Sequence, residues 1–147
     1  MFITSGCGFT LRGTQDLNTP VAYQTVQLSL DDNQEALHLK QALTKHLSMM
    51  GLQHGVSTNQ IDVQNLKFHR YRLVGTLTEI RLVLSANITI RMGETATSMP
   101  MQVEQSYQYN EASVVTLDQQ GEEGKKWLYD QLGERIVARY RAMTLGQ

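Results

Sequence analysis

The chain of 147 residues carries 13 Lys and Arg against 14 Asp and Glu, a formal net charge of −1, and 41% of it is hydrophobic. That near-neutral balance excludes the basic footprint of a nucleic-acid binder, and no stretch approaches the roughly 20 apolar residues that cross a bilayer as a helix. A single domain of this size buries roughly 70% of its unfolded surface and needs no metal or disulfide to fold; the lone cysteine, Cys7, permits no internal disulfide.

Ile3, Thr4, Ser5 and Gly6 stand directly before Cys7. Small residues ahead of a lone cysteine suit a lipoprotein signal peptidase, which admits an extended backbone and leaves the lipidated cysteine as the mature start. Residues 1–6 accordingly read as the stump of a signal peptide, and Cys7 as the lipid-attachment residue; the same residues equally fit a single free thiol in a cytosolic domain. Residues 7–20 form a polar, turn-rich linker able to reach several tens of ångströms if extended. Residues 21–147 remain for one folded domain.

Within that domain, Val26, Leu28 and Leu30 alternate with Gln27 and Ser29, which predicts a first strand over 21–30. A helix follows, with Asp32 placed to cap it and Glu35 three residues on completing a capping box. Ala36, Leu39, Leu43, Leu47 and Met50 recur at helical spacing, and Gly51 stands where a left-handed C-cap belongs. Residues 52–60 read as a loop. The second strand, 61–75, changes phase: Leu66 and Phe68 share one face, Tyr71 and Leu73 the other. A bulge near Arg70 would reconcile them. The third strand, 78–92, sets Ile80, Leu82, Leu84, Ala86, Ile88 and Ile90 against Glu79, Arg81, Ser85, Asn87, Thr89 and Arg91. Gly93 begins a turn into a fourth strand, 99–110, where Met101, Val103, Tyr107 and Tyr109 oppose Gln102, Glu104, Ser106, Gln108 and Asn110. Residues 112–120 read as a loop. Leu128, Leu132, Ile136 and Tyr140 form the buried stripe of a last helix over 122–142.

The order β-α-β-β-β-α, with strands apolar on one side only, predicts an α+β two-layer sandwich. Its two helices pack on one face of a four-stranded, largely antiparallel sheet.

The heptapeptide Cys7-Gly8-Phe9-Thr10-Leu11-Arg12-Gly13 resembles the mature start of the LptE family of lipopolysaccharide-assembly lipoproteins. Val103-Glu104-Gln105-Ser106-Tyr107 and Leu128-Tyr129-Asp130-Gln131-Leu132 are similar to that family's pattern near the other end of the chain. The resemblance implies a non-enzymatic protein, lipid-anchored at Cys7 on the periplasmic side of the outer membrane. It also implies a large β-barrel partner of the LptD kind, which the protein plugs and helps to assemble, and a part in lipopolysaccharide transport.

One feature of the residues themselves suits such a plug. The outward face of the last two strands is rich in uncharged hydroxyl and amide groups: Ser85, Asn87, Thr89, Gln102, Ser106, Gln108 and Asn110. Barrel lumens are polar, and a neutral face exchanges water for lumen hydrogen bonds without desolvating many full charges. The same pattern fits a sheet facing water. Lys67, Arg70 and Arg72, with Arg81 on the neighbouring strand, form a basic cluster whose guanidinium groups suit the phosphates and acidic sugars of lipopolysaccharide. The alternative is a solvated strand.

No catalytic or cofactor motif stands beside these. His38 and His46 are eight positions apart and no His-Glu-x-x-His occurs, so neither a metal site nor an enzyme is expected. The competing functional reading is a lipid-tethered or soluble α+β ligand-binding module with no barrel partner.

Overall fold

The computed structural model describes residues 19–108 and 114–145. Period-two alternation, interrupted once, leaves the long strands with one largely apolar face, and two helices with apolar stripes cover that face. Their order is β1 (Thr25–Ser29), α1 (Gln34–Met49), β2 (Gln53–His54), β3 (Gln60–Leu73), β4 (Glu79–Met92), β5 (Thr95–Gln108) and α2 (Val114–Leu145). Cys7 and Asn110 lie outside the described residues.

The architecture is the expected α+β sandwich, with one correction to the sheet. It has five strands in the order β2-β1-β3-β4-β5 and is mixed, because β1 runs parallel to both β2 and β3 while β3, β4 and β5 are antiparallel neighbours. Alternation shows that a segment is a strand but not which way its neighbour runs. Here direction follows from the connection: α1 carries the chain back to the same end of the sheet, as a parallel pair requires. β2, at two residues, is too short for a period to show, so the loop expected over 52–60 conceals it.

α1 starts one residue later than its sequence suggests. The Asn33 side chain, not that of Asp32, accepts the Ala36 N–H at 2.8 Å, so Glu35 closes no capping box and instead meets Lys125 at 3.0 Å. At the other end Gly51 adopts φ 75°. The Leu52 N–H then reaches the Leu47 carbonyl (2.8 Å) and the Gly51 N–H that of Ser48 (3.1 Å), the paired bonds of a Schellman cap. β5 begins at Thr95 rather than 99, because Met92 and Thr95 pair across a tight turn with Gly93 at φ 61°. α2 begins at Val114, inside the expected loop. Val114, Val115 and Thr116 are β-branched and weak helix formers, so local preference hides that turn.

No bulge occurs near Arg70, where β3 pairs with β4 without a break from Lys67 to Leu73 and Tyr71 and Leu73 simply face outward; the register shift lies earlier. Gln64 pairs with Asn87 and Lys67 with Ser85, leaving Asn65 and Leu66 opposite Ala86 alone. Asn65 adopts φ 55°, the left-handed conformation that asparagine tolerates better than most residues.

The core forms between the helices and the inner face of the sheet. Leu39, Leu43 and Leu47 of α1, Leu128, Leu132 and Ile136 of α2, and Ile80, Leu82, Leu84, Ile88 and Ile90 of β4 are all buried there. Each contributes roughly 1.5–3 kcal/mol. Tyr140, wholly buried, donates its hydroxyl to the Tyr23 carbonyl at 2.6 Å and ties α2 to the segment entering β1. Burial raises its pKa well above the ordinary range.

The helices come close together at Gly133. A Cβ there would stand 2.9 Å from the Ala42 Cβ and 3.1 Å from the Ala42 carbonyl carbon, so the approach involves backbone that cannot step aside. Gly133→Ala gains about 1 kcal/mol of helix propensity but is expected to lower stability by about 1–2 kcal/mol net through overpacking. Adding Ala42→Gly should recover part of that loss; chemical denaturation of the two single variants and the double variant measures the coupling.

Candidate functional site

Because the side-chain period of a strand is two, one extra residue at Asn65–Leu66 re-aims everything after it. Ile61 and Val63 point to the helices, paired with Ile90 and Ile88. Beyond the bulge, Phe68, Arg70 and Arg72 take that side, opposite Leu84, Leu82 and Ile80, while Lys67, His69 and Tyr71 take the outer side, opposite Ser85, Val83 and Arg81. The four cations expected to form one cluster are therefore divided by the sheet. Lys67 and Arg81 lie on the outer face, Arg70 and Arg72 on the helix side. A bulge near Arg70 could have joined them; one at Asn65 cannot.

What the cations share is the distal half of the β3–β4 hairpin. Residues 67–81 hold four of the 13 Lys and Arg and one of the 14 acidic residues, an excess of three positive charges in a chain of net charge −1. At the tip, Val74 is 81% and Leu77 69% exposed, and Leu73 and Tyr71 are also exposed. Arg70 borders a small cleft with Phe68, Leu82, Gly121, Glu122 and Lys125. Lys125 reaches in from α2, its Nζ 4.8 Å from the centre of the Phe68 ring and bonded to Glu35. The hairpin end thus combines an apolar tip with a basic collar. Sequence reading found the collar and missed the tip, although Leu73-Val74-Gly75-Thr76-Leu77, apolar residues around a turn glycine, carried the signal.

On the outer face Ser85 pairs with Gln102, Asn87 with Pro100 and Thr89 with Ser98, and Ser106 and Gln108 continue the row opposite Arg81 and Glu79. The Thr89 and Ser98 hydroxyls bond to each other at 2.9 Å. Six of the residues expected on this surface (Ser85, Asn87, Thr89, Gln102, Ser106, Gln108) therefore share it, and both helices pack on the opposite side. Val83 is the one apolar residue of β4 that points outward, and it is largely buried among its neighbours.

Between the helices, Asp130 bonds Lys45, and the same oxygen lies 3.0 Å from His46 Nε2. Glu134 stands close enough to complete a His-Asp-Glu group that could hold a metal ion. Lys45 and His46 both hold the Asp130 Oδ1, so the arrangement reads as an ionic clamp joining α1 to α2.

No protein-family model matches the chain, and no curated protein matches it. Solved structures do. It is similar to a minor lipoprotein from Acinetobacter baumannii, at 26% identity over 82% of this chain and 92% of that one, with a TM-score of 0.71. It is also similar to the rare lipoprotein B of Shewanella oneidensis, at 16% identity over 82% and 97% with a TM-score of 0.67. A putative lipoprotein from Caulobacter crescentus shares the fold at 11% identity over 91% and 96%, with a TM-score of 0.56. The neighbours are thus lipoproteins, rare lipoprotein B among them, in agreement with the LptE-family resemblance.

Two outcomes test this geometry. Asn65→Gly should leave stability within about 0.5 kcal/mol, whereas Asn65→Val, β-branched at positive φ, should cost about 1–2 kcal/mol by thermal or chemical denaturation. The hydrogen bond from Lys45, assisted by His46 against the opposing effect of burial, holds the Asp130 carboxyl below its ordinary 3.8. Its contribution is therefore present above pH 3.8 and lost as pH falls through the depressed value. Asp130 is about a third exposed, so Asp130→Asn should cost no more than about 1 kcal/mol at pH 7. Denaturation measured across the acid range should show that difference closing below pH 3.8.

Proposed function

We propose that this chain is an outer-membrane lipoprotein, acylated on Cys7, that plugs a β-barrel partner of the LptD kind from the periplasmic side. In this role it assists both assembly of the barrel and delivery of lipopolysaccharide. The lipoprotein fold of its structural neighbours supports the class; the small residues before Cys7 suit the processing step, and the Cys7 thiol is the attachment point. It works by binding and positioning, not by catalysis.

The observation that carries the reading is the hairpin end. An apolar tip with Arg72, Arg81, Arg70 and Lys67 set successively back along the hairpin stem suits an amphiphile that has acyl chains at one end and phosphates behind them. Guanidinium groups bind phosphate through paired N–H donors, while Val74 and Leu77 offer apolar surface that stays exposed to water until such a ligand or a bilayer covers it. Since the collar straddles the sheet, a headgroup would be gripped around the strand edge rather than on one flat face. The neutral outer face of Ser85, Asn87, Thr89, Gln102, Ser106 and Gln108 provides a separate surface for a polar barrel wall. A protein with these two surfaces can hold the barrel with one and the cargo with the other.

Arg70→Glu with Arg72→Glu should weaken binding to purified lipopolysaccharide at least about tenfold and flatten its salt dependence, because each lost cation–phosphate contact is worth roughly 1–2 kcal/mol. Lys40→Glu, exposed on α1 away from the hairpin, serves as the control. Unchanged binding by the double variant would refute the assignment. Purification in mild detergent tests the other half: retention of a much larger β-barrel supports the plug, and a clean monomer favours the ligand-binding module.

A further inference from the structure

Among the described residues, two strands have long edges that no other strand covers: β3 beyond Asp62, and the whole of β5. Such edges recruit further strands, and proteins blunt them with charge, proline or a covering group. β3 carries Lys67, His69, Arg70 and Arg72 along its open length. β5 is treated differently. Its register with β4 is unbroken through Pro100, which has no N–H to give, so Pro100 sits where backbone groups point away from β4. Gln102, two residues on, has the same orientation, and its carbonyl accepts Arg135 Nη1 at 3.3 Å. The even-numbered residues of β5 therefore face the open edge. At Pro100 a donor is missing and at Gln102 the acceptor is taken, so the middle of the edge is closed.

Glu104, Ser106 and Gln108 have the same orientation and neither device. Beside them runs α2. Gly124 packs on Gln105, where a Cβ would come within 2.8 Å of Oε1, and one turn further Trp127 is 45% exposed. On the other face Glu104 is exposed, stands opposite Val83 and forms no ion pair with a described residue.

We infer that the 104–108 end of β5 accepts an extended segment of a partner protein as an additional strand. Backbone hydrogen bonds to Glu104, Ser106 and Gln108 supply the attachment, and alternate side chains supply the choice of partner. The residue facing Glu104 is basic, and its neighbour on the helix side is apolar and meets Trp127. A second copy of this chain fits less well: antiparallel pairing about Ser106 would set Gln108, not a cation, against Glu104.

The probe is the peptide acetyl-Thr-Val-Lys-Val-Thr-amide, titrated into the full chain labelled with ¹⁵N. The amides of Glu104, Ser106 and Gln108 and the Trp127 indole should shift together. Ser106→Pro removes an outward donor that β4 does not use, and should weaken binding at least about tenfold with the melting temperature retained. Glu104→Lys should transfer preference to the same peptide with glutamate in place of lysine. Should the proline variant fold poorly, methylating alternate peptide nitrogens must abolish binding to the unaltered chain. The proposal is overturned by an absence of shifts at millimolar peptide, by equal affinity for the methylated peptide, or by indifference to the charge swap. It is also overturned if the 104–108 amides respond to protein concentration alone, which would assign the edge to a second copy.

Discussion

A single backbone irregularity, the left-handed Asn65, decides what the distal half of the sheet presents and to which side. Before it, β3 offers Ile61 and Val63 to the core; after it, the same side receives Phe68 and Arg70. Without the extra residue, the side chains of Lys67, His69 and Tyr71 would turn toward α2, and Phe68 would turn outward. Burying a lysine and a histidine beside Leu82 and Leu84 without partners would cost several kcal/mol. The cost of a residue at positive φ is on the order of 1 kcal/mol, and less for asparagine. The bulge avoids that burial, and in exchange carries Arg70 and Arg72 to the helix side opposite Leu82 and Ile80.

The second constraint is the spacing of the layers. α2 can lie on the sheet and against α1 together only because it lacks side chains at the points of closest approach. Gly124 admits Gln105 and the Leu82 side chain, and Gly133 admits the backbone of α1 at Ala42. Glycine inside a helix costs about 1 kcal/mol each relative to alanine, an expense that burial of Leu128, Leu132, Ile136 and Tyr140 between the layers more than offsets. With both helices committed to one side, the opposite face of β4 and β5 remains open as a row of hydroxyls and amides. The division leaves rigidity held internally on one side and, on the other, a hydrogen-bonding surface in which hydroxyls and amides are interspersed with charges such as Arg81 and Glu104.

The sequence showed the parts of this structure that depend on period and hid those that depend on partners. The long strands, the α1 stripe, the cap at Gly51 and the polar row from Ser85 to Gln108 follow from alternation and spacing within one segment. The parallel pairing of β1, the two-residue β2 and the start of α2 at Val114 depend on distant contacts. Local preference was silent on the first two and pointed the wrong way on the third. The hairpin end was half legible. Its cations stood out by charge, but their division between faces depended on where the bulge lay; Leu73 and Val74 looked like ordinary strand residues, and Leu77 fell between two predicted strands, so the exposed apolar tip they form was not apparent.

The basic collar admits two physical roles, and their geometry separates them. Charge along an open strand edge discourages further pairing, and Lys67 and His69, on the outer face of β3, need no other explanation. Arg70 is different. It points to the helix side, into a cleft it shares with Phe68 and Lys125, where two like charges are brought together against an aromatic ring with Glu122 as the nearby acid. Edge protection does not require a cation there, since the outer-face residues already supply it. Lys125 there is already paired with Glu35, and Glu122 lines the same cleft, so the local charge is partly balanced within the protein. Arg70 thus stands apart from the edge-protecting residues, on the side of the sheet where Lys125 is held by Glu35.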